Sequence, residues 1–150
     1  MEPLVALKAI AATLGIVDKA TDLIKKNSGK EITPHRVKTL RNGEYLEIYQ
    51  GTHLDHKIHY SDLNMKSWDE KRYKTLEGKI DDHMTQYNDI DAALPTAPVE
   101  EKSRLKLKLK KIQVELCEDF SALVRLHEAT LGVPLGDHYS LYDICTDSDN

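Results

Sequence analysis

Trp68 to Leu131, WDEKRYKTLEGKIDDHMTQYNDIDAALPTAPVEEKSRLKLKLKKIQVELCEDFSALVRLHEATL, carries two long helical patterns broken once, at Leu94-Pro95-Thr96-Ala97-Pro98. In the first half Tyr73, Leu76, Ile80, His83, Tyr87, Ile90 and Leu94 recur at alternating steps of three and four. That spacing sets one side chain per turn on a single seam, the pattern of a helix packed lengthwise on another. After the prolines, Leu105, Leu109, Ile112, Leu116, Phe120, Leu123 and Leu126 or His127 form a second seam. Leu107, Val114 and Val124 widen it into a second apolar flank that a single hairpin partner does not cover. Prolines around small residues stop one helix and suit a reversal. The stretch therefore predicts an antiparallel helical hairpin over about 69–94 and 98–131. Ser67 or Asp69 can cap the first helix, and Leu131-Gly132-Val133-Pro134 ends the second in the expected order of Gly then Pro.

Toward the N terminus, residues 3–26 read as a helix with Pro3 in its first turn and Asn27-Ser28-Gly29 as its stop. Leu7, Ile10, Leu14, Val17 and Ile24 mark its apolar side, and Lys8 is the only charge between Pro3 and Val17. Such a helix usually serves as a core element of a bundle, here packed on the hairpin. Released, it would lie in a membrane interface.

Residues 33–60 admit two readings. Thr33-Pro34 suits a helix N-cap and first position, with Val37 and Leu40 inside and Asn42-Gly43 as a stop. Alternatively, Asn42-Gly43 is the turn of a β-hairpin between Val37–Arg41 and Glu44–Gln50. An isolated two-stranded ribbon is marginal and no third strand is evident, so short helices are preferred. Leu105, Leu107 and Leu109 alternate with Lys at a strand period, but Leu and Lys favour helix and no Gly or Pro intervenes. The expected fold is all-α: a helical bundle built on the long hairpin and packed by an N-terminal helix. Short helices, or a small β-hairpin, occupy 33–60. One domain over 1–145 and a disordered tail at 146–150 complete the expectation.

Composition bounds the function classes. A chain of 150 residues, 40% hydrophobic and 31% charged, is an ordinary globular domain, and its net charge of −4 gives no global drive toward nucleic acid or an anionic surface. Lys102, Arg104, Lys106, Lys108, Lys110 and Lys111 form a local basic segment, but no aromatic residues interleave for base stacking, which argues against nucleic acid. Two cysteines are too few for a disulfide framework; Cys117, inside a helical pattern, reads as a buried reduced thiol, with a Cys117–Cys145 bridge the lesser alternative. Glu2 and Lys8 spoil a signal-peptide reading and no apolar run approaches a membrane span, so the expected location is cytoplasmic.

Few residues point to chemistry. His53, His56 and His59 form the only His cluster, but steps of three on a helix fan the rings apart and no second ligand group matches them, so metal is the weakest reading. His83 and His127 lie on the hairpin seams, where the packed helices can bring them together. Asp81-Asp82-His83 and Glu118-Asp119 place carboxylates on facing helices without the Glu-x-x-His pairs of a carboxylate metal site. A phosphate loop, a nucleophile elbow and a zinc-protease motif are all missing. The expected function is a non-enzymatic helical protein–protein interaction module, scaffold- or adaptor-like and self-associating or bound to another protein, with no cofactor. Its expected interaction residues are Leu107, Val114 and Val124, with Leu7 and Leu14 on the first helix. The rival is a membrane-active, effector-like bundle that meets a membrane surface through residues 3–17.

Overall fold

The computed structural model describes residues 2–28 and 35–135. The proline segment reverses the chain as the sequence requires: Leu94–Thr96 is one 3-10 turn, between helix α2 (Glu70–Ala93) and helix α3 (Val99–Leu131). The Asp69 carboxylate accepts a hydrogen bond from the Arg72 amide at 3.1 Å, capping α2. Glu100 and Glu101 occupy the first turn of α3, where the helix dipole favours them. Gly132, at φ 73°, ends α3 in the left-handed conformation that glycine adopts without a steric penalty. Both seams face inward. Tyr73, Leu76, Ile80 and Tyr87 on α2 are buried against Leu109, Ile112, Leu116, Phe120 and Leu123 on α3, and His127 rather than Leu126 completes the second seam.

Helix α1 (Pro3–Ser28) is buried on two sides along its first half, leaving one exposed stripe of Val5, Lys8 and Ala12. One side packs on α2 and α3. The other packs on a three-stranded antiparallel sheet of β1 (His35–Leu40), β2 (Tyr45–Gln50) and β3 (His53–His59), in the order β1-β2-β3. Leu46, Ile48 and Ile58 carry the inner face of that sheet into the same core as Leu7, Ile10, Leu14 and Val17. Two 3-10 turns, Tyr60–Asp62 and Met65–Ser67, return the chain to α2, and the Asn64 amide bonds the Thr130 carbonyl at 2.8 Å to tie this connection to the end of α3.

The sheet corrects the all-α expectation: the fold is mixed α/β, though mostly helical. The Asn42-Gly43 turn belongs to a hairpin, with Leu40 paired to Tyr45. Arg41, Asn42 and Gly43 have φ of 51°, 58° and 88° in succession, a path that favours Asn and Gly. Lys8 of α1 lies over the turn so closely that a Cβ on Gly43 would sit 2.7 Å from its Cε. The missing third strand is HLDHKIH. Ile48 pairs with His56 while Tyr49 pairs with Leu54, leaving Asp55 as an extra residue in a β-bulge. The bulge breaks the period of two, so Leu54 and Ile58 fall on opposite faces, one exposed and one buried. A third strand and an apolar helix beneath it supply the stability that a lone ribbon lacks. The Thr33-Pro34 cap and the tail at 146–150 lie outside the described residues.

Candidate functional site

The three histidines of β3 are read on a strand, not a helix. His56 pairs with Ile48 and His59 with Tyr45, which places these two on opposite faces of the sheet. His53 lies 3.4 Å from Asp55, and His59 accepts a hydrogen bond from the Ser61 amide through its Nδ1. Among the described residues no three His, Cys, Asp or Glu side chains converge as metal ligands.

His83 and His127 are not brought together. The antiparallel register sets His83 against Asp119 and Glu115, about two and three turns along α3 from His127. His83 Nδ1 is 2.7 Å from Asp119 Oδ2, and its Nε2 is 3.1 Å from Glu115 Oε2. His83 thus links α2 to α3 through Asp119 and Glu115. Glu115 was the unread member of this group; it and Asp119 stand four apart on one face of α3, a legible spacing whose partner only the hairpin register reveals.

His127 is fully buried and joins α3 to α1 through Thr13, with Nε2 to Oγ1 at 2.7 Å. Thr13 Oγ1 also lies 3.1 Å from the carbonyls of Ala9 and Ile10. The consistent arrangement has Thr13 donating to a backbone carbonyl and accepting from His127 Nε2–H. His127 Nδ1, which has no partner, is then a bare lone pair rather than a stranded N–H. Burial pushes the His127 pKa down to about 3. Tyr73, packed at a tilt between Trp68 and His127 with ring centroids 5.1 and 5.9 Å away, bonds the Ala9 carbonyl at 3.3 Å. Burial, reinforced by the neighbouring Glu77 carboxylate, holds its hydroxyl well above the ordinary tyrosine value. The cluster is closed to solvent and fastens three helices.

The expected interaction residues divide sharply. Leu7 and Leu14 are fully buried under the sheet and hairpin, and Val124 is buried on α3. Leu107 is 68% exposed and Val114 38% exposed, on the outward flank of α3. Beside that flank, across Lys111, a groove of about 420 Å³ runs between α2 and α3. Ile90 and Ile112 form its floor, with Gln86 and Asp89 on one rim and Lys108, Lys111 and Glu115 on the other. Between Tyr87 and Leu109 no residue is fully buried, and Ile90 and Leu94 pack against the core while still partly exposed. Of the basic segment, Arg104 reaches Glu101 at 3.7 Å, and none of Lys106, Lys108, Lys110 or Lys111 forms an ion pair among the described residues.

Cys117 is buried and disulfide-bonded, not the reduced thiol expected; Cys145, the other cysteine in the chain, lies outside the described residues. No described helix is long and apolar enough to cross a membrane. Compared with protein-family models, curated proteins and solved structures, the chain matches none.

Proposed function

We propose that the protein is a non-enzymatic interaction module that engages another protein, or a second copy of itself, through the outward face of α3. The observation that carries this reading is the exposure of Leu107 and Val114 on one flank of a long helix, next to a groove with an isoleucine floor. Singly exposed aliphatic residues are common, but two on the same flank of one helix, across Lys111 from an open groove between helices, make a surface that a third helix fits.

The membrane-active reading loses support from the burial of Leu7 and Leu14, because presenting them to lipid would open the core. As for location, the disulfide at Cys117 favours an oxidising compartment over the cytoplasm, where thiols are kept reduced.

The test compares wild type with a Leu107→Glu/Val114→Glu variant, first by circular dichroism to establish that both fold. Light scattering over a concentration series and affinity capture on the immobilised protein then follow. The expected result is an assembly or a captured protein that the variant loses. A wild type that is strictly monomeric and retains nothing refutes the proposal.

A further inference from the structure

The outward face of α3 is charged in a pattern that complements itself. Arg104, Lys108, Lys111, Glu115 and Glu118 advance by steps of four, three, four and three, which places them on one seam of the kind that packs helix on helix. The first three are basic and the last two acidic. All but the half-buried Glu115 are exposed, and Lys108, Lys111 and Glu118 have no ion-pair partner among the described residues. The seam is antisymmetric about Lys111. Arg104 and Glu118 each lie seven residues from it, while Lys108 and Leu107 on one side match Glu115 and Val114 on the other.

Building on the proposed interaction role, we infer that the occupant of this face is a second copy of the chain, its α3 packed antiparallel to the first across a two-fold axis at Lys111. That operation sets Arg104 against Glu118 of the second copy and Lys108 against Glu115. It also sets the exposed Leu107 against Val114 on the outer flank. Each pairing occurs twice, as a two-fold interface requires. A parallel arrangement would instead set like charges against each other along the whole seam. Lys111 is the exception, since at the axis it meets its own counterpart. The contact spans the roughly four turns from Arg104 to Glu118, about 21 Å of helix, so the dimer is a weak, concentration-dependent one.

The experiment is sedimentation velocity on the intact, unreduced chain, up to about 500 μM to reach a weak interface. The expected results are a wild-type monomer–dimer equilibrium and dissociation constants raised about tenfold or more in Lys108→Glu and in Glu115→Lys. An equimolar mixture of those two variants regains wild-type dimerisation as a heterodimer, because each reversed charge then meets its complement. Lys111→Leu dimerises more tightly than wild type, an outcome that a merely structural role for the lysine does not produce. If Glu115→Lys unfolds through loss of its His83 contact, Arg104→Glu mixed with Glu118→Lys makes the same test. A monomeric wild type over the whole range overturns the inference while leaving another protein as the partner. A dimer indifferent to all these charges overturns it by placing the interface elsewhere.

Discussion

Acidification should weaken this protein through His127, and the size of the effect follows from its burial. In the folded chain His127 takes a proton only near pH 3, whereas in the unfolded chain it does so near 6.5. Between those values the unfolded state binds one more proton than the native state, so stability rises with pH across the window. The contribution is complete above about 6.5 and is lost progressively as pH falls toward 3. The full span of 3.5 units is worth about 5 kcal/mol, of which about 2 kcal/mol is lost between pH 7 and pH 5. For a domain of this length, 2 kcal/mol lowers Tm by roughly 4–8 °C. Urea denaturation at pH 7, 6 and 5 measures it, with His127→Gln as the control, since glutamine can still donate to Thr13 but does not titrate. The variant will be less stable at every pH; the diagnostic is the slope. Wild type should lose about 2 kcal/mol more than the variant from pH 7 to 5. Parallel losses would refute the reasoning, as would an NMR titration of His127 near 6.5.

Two glycine substitutions should act in opposite directions in the same denaturation assay. Gly43→Ala forces a side chain to φ 88° against Lys8 and should cost about 1–2 kcal/mol, while Gly78→Ala, inside α2 with nothing within 4 Å of the new Cβ, should stabilise by about 0.5–1 kcal/mol. Leu14→Ala should cost about 2–5 kcal/mol because Leu14 is fully buried, whereas Leu107→Ala should change stability by no more than about 0.5 kcal/mol; equal losses would contradict the placement of either residue. Mass spectrometry after alkylation under denaturing conditions should leave Cys117 unlabelled until a reductant is added, and a labelled Cys117 in the unreduced chain would contradict its disulfide.

The helices were legible because each is long and periodic. Steps of three and four over Tyr73–Leu94 and Leu105–His127 leave little choice of element, and two prolines with small residues between them mark the reversal. The apolar character of residues 3–17 likewise required burial on more than one side. The strands were harder to read, for a local reason. HLDHKIH is polar, holds three histidines at a spacing that imitates a helix face, and hides its alternation behind one bulged residue. What makes it a strand is pairing with Tyr45–Gln50 and the packing of Leu46, Ile48 and Ile58 against α1, interactions between segments that a local pattern does not encode.

The candidate sites divide along the same line. That α3 carries a second apolar flank is a property of its sequence. Which members of that flank reach solvent depends on what packs beside each turn: Val124 is covered, while Leu107 and Val114 stay open. The sequence placed carboxylates near His83 but not the register that lays Glu115 and Asp119 on its two nitrogens, because register is set by the packing of two seams about one turn. Periodicity and the two prolines determined the helices, their reversal and their buried faces. The tertiary structure decided the sheet, the histidine partners and the exposed face of α3, since each depends on residues far apart in the chain meeting at hydrogen-bond or van der Waals distance.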